Sequence, residues 1–287
     1  MSLKQESRNK AFEGSLTKYS FESTALGGLS AKINVFLPPG ASSSHKVPVL
    51  YYLAGLTCTE DTGAQKGAFL AEASKQGIAV VFPDTSPRGA GVEGEDKDWD
   101  FGTGAGFYLT ATSDAYKKNY NMYEHILNEI PKMLEQANLG IDKSKVSIFG
   151  HSMGGHGALS LYLKNPGLYK SASGFAPIAN PTECPWGKKA FSGYLATPEE
   201  GKAYDSTILL SSWPQDRKLA LKVDYGSDDQ FYKDGQLRPE AFQEALSKAG
   251  TQGEVEIQKR EGYDHSYYFV STFASEHVAW HSKFLKA

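Results

Sequence analysis

One serine in this chain stands where its hydroxyl could attack a carbonyl. In "KVSIFGHSMGGHGALSLYL" (Lys145 to Leu163), an apolar strand-like run meets Gly150-His151-Ser152-Met153-Gly154 and leaves as an apolar helix-like run. The G-x-S-x-G spacing predicts a sharp, strained strand-to-helix turn with Ser152 at its apex. A serine hydroxyl is a weak nucleophile without a base to take its proton and a third group to orient that base. Strand–serine–helix turns of this kind present the partners in the chain order Ser, Asp or Glu, His.

Seven histidines compete for the base. His45, His125 and His151 precede Ser152, and His156 lies in the serine's own helix. His277 and His281 sit on a terminal amphipathic segment, where packing or exposure is expected. His265, in "GYDHSYY", falls between the last strand and the last helix and is the expected base. The acid must come from the loop after "LKVDYGSDDQF": Asp224 falls inside the strand, leaving Asp228 and Asp229, and residue pattern alone does not choose between them. Asp264 is too close to its neighbour's ring to bond it. The oxyanion of a tetrahedral intermediate needs two N–H donors, here Met153 after the serine and Leu56 in the turn "AGLTC", with Gly55 letting that turn bend. Each such donor contributes roughly 3–4 kcal/mol to the transition state.

These residues require strand ends on one edge of a sheet. "INVFLP" (33–38), "VPVLYYL" (47–53), "GIAVVFPD" (77–84), "VSIFG", "SASGFAPI" (171–178), "KLALKVDYG" (218–226) and "EVEIQKR" read as strands. Between them, 64–76, 122–137 (with a kink at Pro131), the run after Ser152 and 238–250 read as helices, and "YYFVSTFASEHVAWHSKFLK" as a closing one. Alternation of this kind predicts an α/β fold, a mostly parallel central sheet with helices on both faces, in one domain spanning 1–287. Sites in such sheets gather at the carboxyl ends of the strands. The long Gly- and aromatic-rich segment 84–121 is expected to be an ordered functional loop, with Trp99, Phe101, Phe107 and Tyr108 packing it.

The composition, 40% hydrophobic and 22% charged with a net charge of −3, suits a soluble globule and argues against nucleic-acid or anionic-membrane partners. No apolar run reaches the roughly 18–20 residues of a membrane span. The polar N-terminus lacks a signal-like apolar region, so a cytoplasmic setting is expected. Cys58 and Cys184 are expected to be reduced. "GTGAGF" (102–107) follows no strand and reads as a hinge or tight packing, with no cofactor. His277 and His281 lack the Glu placement of a zinc site, so no metal is expected.

Taken together, "YYLAGLTCT", "PDTSPRG", "DFGTGAGFYLTAT", "GHSMGGHGAL", "FAPIANPTECPWGKKAF" and "GYDHSYYF" resemble the S-formylglutathione hydrolases, or esterase D family, from about Phe36 to Phe273. The resemblance implies an α/β-hydrolase fold and cytosolic hydrolysis of S-formylglutathione to formate and glutathione, the last step of glutathione-dependent formaldehyde detoxification. It also implies a dimeric enzyme that accepts small esters and needs no cofactor. It assigns the nucleophile to Ser152, the base to His265, the acid to Asp229, and the oxyanion donors to Leu56 and Met153. Trp186 matches an acyl-pocket tryptophan and Cys58 a thiol beside the site. Segment 197–217 matches no family pattern. The alternative is a general short-chain carboxylesterase without a dedicated substrate.

Overall fold

The structure, a computed structural model, describes residues 2–287. Its strands are β1 (Lys4–Ala11), β2 (Gly14–Ser23), β3 (Leu29–Leu37), β4 (Val47–Leu53), β5 (Ala79–Pro83), β6 (Ile141–His151), β7 (Ala172–Phe175), β8 (Leu219–Gly226) and β9 (Gly253–Arg260). They form one sheet in the order β1-β2-β3-β5-β4-β6-β7-β8-β9. The pairs from β5 to β9 are parallel, and β1, β2 and β3 add an antiparallel flank.

The central strands are buried on both faces, which explains their unbroken apolar runs. Along β6 the faces separate by alternation. Phe149 packs edge-on against His281 of the terminal helix Tyr267–Leu285, whereas a Cβ on Gly150 would lie 2.3 Å from Gly154 O in the helix Met153–Lys164. Phe69 joins the core at 4.6 Å from the Tyr52 ring and 4.8 Å from Phe149.

Two features depart from the expectations, and a third shows how the chain passes Pro131. The helix expected over 64–76 is two helices, Glu60–Lys66 and Leu70–Gln76. Ala68 takes φ 58 between them, turning Phe69 into full burial, and that burial outweighs helical continuity. At Pro131, where a kink is expected, the helix runs on from an irregular turn. His125–Glu129 forms a π turn, closed by Ile130 N–H donating to His125 O, just ahead of a proline that has no N–H to give. The polar N-terminus, for which no strand is expected, forms the β1–β2 hairpin. Its two-residue turn places Phe12 at φ 45 and Glu13 at φ 61, the left-handed pair of a tight hairpin, without the usual Asn-Gly signal.

The segment 84–121 is packed: Phe107 and Tyr108 are fully buried, each with φ 48, and Trp99 stands exposed. Among the described residues no helix is long and apolar enough to cross a membrane.

Candidate active site

Ser152 sits between β6 and its helix with φ 57 and ψ −119, a region that L-residues with side chains rarely adopt. The strain is therefore on the serine itself, and the two flanking glycines answer a different need. A Cβ on Gly154 would lie 2.0 Å from Leu53 O, as the one on Gly150 would crowd Gly154, so both permit close backbone approach. The turn is tied to the sheet by Ser152 N–H donating to Phe175 O at 2.9 Å.

Gly55 also corrects its expected role. The residue with positive φ in "AGLTC" is Thr57, at 67°. Gly55 is needed because a Cβ there would lie 3.1 Å from Ser152 Cβ and 3.2 Å from His151 O. The turn is closed by Cys58 N–H donating to Gly55 O, and it is held from outside by two loops. Thr57 N–H donates to Gly104 O at 2.9 Å, while Thr85 Oγ1 and the Arg88 guanidinium donate to Cys58 O at 2.5 and 2.9 Å. Asp84 grips Arg88 through both carboxylate oxygens. "GTGAGF" is thus tight packing: a Cβ on Gly104, at φ 80, would lie 3.1 Å from Thr57 Cα. Among the described residues neither the Leu56 nor the Met153 N–H has an acceptor in the protein, so both are left to serve a ligand.

His265 Nδ1 lies 2.5 Å from Asp229 Oδ2. Asp229 is fully buried, and its other oxygen caps the short helix Gln230–Lys233, accepting from Phe231 N–H at 2.8 Å and Tyr232 N–H at 3.2 Å. Both oxygens are thereby fixed, and one is aimed at the imidazole. Asp228 faces solvent and pairs with Lys233. Asp264 accepts from Ser266, ordering the turn that presents His265. Among the described residues Ser152 Oγ makes no hydrogen bond to His265; His151, next to Ser152 in the chain, has its ring centroid 4.6 Å from that of His265. Resting sites commonly have such contacts open until substrate binds. Burial, then the nearby His265, hold His151 well below the ordinary imidazole value, so it stays neutral beside the site.

Trp186, on the helix Pro185–Tyr194, packs at 4.7 Å on Phe231, which packs edge-on at 4.7 Å on His265. Phe231 was not foreseen; its signal was its place in the turn capped by Asp229. Trp99 extends this aromatic row, 5.7 Å from Trp186, its loop pinned by Lys189 to Asp98 and Asp100. Both cysteines are free thiols. Cys58 is partly buried, and burial raises its thiol. Cys184 caps the Trp186 helix through its sulfur, 3.4 Å from Gly187 N. Tyr267 donates to or accepts from Tyr52 at 2.9 Å, and Tyr268 is exposed. Among the described residues no cluster of His, Cys, Asp and Glu is arranged to hold a metal.

A family model described as "Putative esterase" matches residues 23–287. The S-formylglutathione hydrolase of Bos taurus is 48% identical over the full length of both chains, and that of Arabidopsis thaliana 46% identical over 99% of this chain and 98% of its own. Among solved structures, an S-formylglutathione hydrolase from Agrobacterium tumefaciens superposes with a TM-score of 0.91 at 39% identity, covering 99% of this chain and all of that one. A strained serine at a strand–helix turn, on a mostly parallel sheet of the α/β-hydrolase type, fits these relatives along the whole chain. This chain belongs to the S-formylglutathione hydrolase family of esterases.

Proposed function

We propose that this enzyme hydrolyses S-formylglutathione to formate and glutathione through Ser152, His265 and Asp229. The observation that carries the reading is the bond from buried Asp229 to His265, whose ring packs on the His151 ring next to a serine held at φ 57 and flanked by two unpaired N–H groups. Ser152 Oγ attacks the formyl carbon while His265 Nε2 takes its proton. Asp229 holds the ring in the tautomer that leaves Nε2 free, and stabilises the imidazolium. The N–H groups of Leu56 and Met153 take the oxyanion. Collapse breaks the C–S bond, and His265 returns the proton to the glutathione sulfur. Water then attacks the formyl-serine ester, giving its proton to His265. His265 passes that proton to Ser152 Oγ as formate leaves. On this reading Trp186 bounds a small acyl pocket, no cofactor takes part, and the enzyme works in the cytosol as a homodimer of single-domain subunits.

The test is kcat/KM for S-formylglutathione beside a short aryl acetate, with Ser152→Ala as control. A strong preference for the formyl thioester, lost in the variant, is expected. Equal or reversed preference that still needs Ser152 would reduce the enzyme to a general esterase, and activity in the variant would overturn the serine mechanism.

A further inference from the structure

The mechanism uses none of Asp224, His277 and His281, although all three are fully buried. With three serines they form an unbroken hydrogen-bond chain across the sheet, beneath the terminal helix. Ser147 on β6 lies 2.7 Å from Ser171, just before β7, and Ser171 Oγ lies 2.7 Å from His281 Nδ1. His281 Nε2 is 2.8 Å from Ser173 Oγ on β7, which is 2.8 Å from His277 Nδ1. His277 Nε2 is 2.9 Å from Asp224 Oδ2 on β8. Arg260, ending β9, donates to the same oxygen at 3.0 Å and to Glu276 of the helix at 2.7 Å.

The proton positions follow from donor and acceptor capacity. Burial holds His277 below, and His281 well below, the ordinary imidazole value, so both rings are neutral. Burial works to raise the Asp224 carboxyl, but the His277 hydrogen bond and the nearby cations outweigh it, and the group is ionised. A carboxylate only accepts, so His277 donates through Nε2 and accepts at Nδ1. Ser173 must then donate to His277 and accept from His281 Nε2. His281 Nδ1 accepts from Ser171, which accepts from Ser147. With both rings neutral every bond points toward Asp224 Oδ2, and the atoms along the chain are all paired; the other carboxylate oxygen, Oδ1, has no partner among the described residues.

This chain joins the elements that carry the catalytic groups. Asp224 stands on the strand whose exit loop holds Asp229. His277 stands on the helix that begins just after His265. The His277 ring also stacks at 3.8 Å on Phe175, whose carbonyl receives the Ser152 N–H. Adhesion alone would be served as well by apolar side chains of similar volume. Directional bonds instead fix the rotation and register of the helix on the sheet, and catalytic groups tolerate only about 0.5 Å of misplacement. We propose that the Ser173–His277–Asp224 chain is a positioning device that sets the rotation of the terminal helix against β8 and thereby the Asp229–His265 contact. The proposal rests on the reading of Ser152, His265 and Asp229 as the triad.

The experiment compares full-length His277→Gln, His277→Leu and Ser173→Ala, counting competent sites with a fluorophosphonate and measuring kcat and KM per labelled site on a short aryl acetate. Glutamine carries a neutral donor and an acceptor, as the ring does; leucine carries neither. His277→Leu is expected to lower kcat per site about tenfold or more with KM within about twofold, and Gln to restore it to within about threefold. If both His277 variants fail to fold, Ser173→Ala decides, with a several-fold fall in kcat at unchanged KM expected. Wild-type kcat per site in a folded Leu or Ala variant would overturn the proposal, as would Gln losing as much as Leu. Activity in Ser152→Ala would instead overturn the triad reading.

Discussion

Ser152, His265 and Asp229 at the strand ends, and Ser173, His277 and Asp224 under the terminal helix, are the same three residue types in two settings. Under the helix both ring nitrogens of His277 are bonded and all three residues are buried completely. At the strand ends only Nδ1 of His265 is bonded, the ring is partly open to solvent, and the serine is held at φ 57. A third cluster, Ser23, His125 and Glu129, is buried like the second: Glu129 accepts from Ser23, Thr24 and Ala25 as well as facing the ring. Residue identity therefore does not make a nucleophile. A ring partly open to solvent, a strained serine backbone and unpaired N–H groups distinguish the first set.

The widest contrast is between the two serines. Ser152→Ala should lower kcat at least about 10⁵-fold on any ester. Ser173→Ala should still react stoichiometrically with a fluorophosphonate, and should lose roughly 1–3 kcal/mol of stability by urea titration, because His277 and His281 would be left short of partners. The acids come next. Asp229→Asn should cost about 10³–10⁴ in kcat, because the ring loses the acceptor that fixes its tautomer, whereas Asp228→Asn, losing one exposed pair to Lys233, should stay within about threefold. Near-equal losses would mean that the Asp229–His265 bond does not govern the base. Gly55→Ala should lower kcat about 10–100-fold with a smaller change in KM, since the new methyl presses the oxyanion turn away from Ser152. Trp186→Ala should shift the ratio of kcat/KM for butyryl over acetyl esters upward by about tenfold.

The third cluster is tested by acid. Burial alone would raise Glu129, but hydrogen bonds from His125 and Ser23 outweigh it and bring its carboxyl down to about 2 from an ordinary 4.5. A lowered folded-state value means stability that is present above pH 4.5 and is lost as pH falls through about 2. Between pH 5 and 2.5 the urea midpoint of the wild type should therefore fall more steeply than that of Glu129→Gln, by up to roughly 3 kcal/mol in unfolding free energy. Parallel slopes would remove Glu129 from the acid response.

Much of the candidate catalytic set can be named from sequence because motif, chain order and loop position converge on it. G-x-S-x-G marks Ser152, and only one histidine follows the last strand and precedes the last helix. Residue pattern left Asp228 and Asp229 open and the resemblance chose Asp229; the cap that it forms on Gln230–Lys233 gives the physical reason, and an aspartate ahead of a short helical run is itself a cap signal. The roles of the glycines were not legible. Sequence reports that a residue lacks a Cβ, but not whether a backbone angle or a neighbouring atom requires that, and at Gly55, Gly150 and Gly154 it is the neighbour. The β1–β2 hairpin escaped because β1 is exposed as far as Lys10 and carries no apolar alternation, and because Phe12-Glu13 is an unusual pair for its turn. The closed polar chain escaped because Ser147, Ser171, Ser173 and Asp224 lie on three strands that meet only in the folded sheet.

The order in which that chain is completed bears on synthesis. Ser147, Ser171, Ser173 and Asp224 all emerge from the ribosome before His277 and His281, the residues that satisfy them. Until the terminal helix docks, these strands carry polar groups that would be costly to bury, so the sheet has reason to remain hydrated. The same helix follows directly on His265. The nascent chain thus carries Ser152 before His265 is positioned, and the polar partners that close the core arrive together with the proposed base.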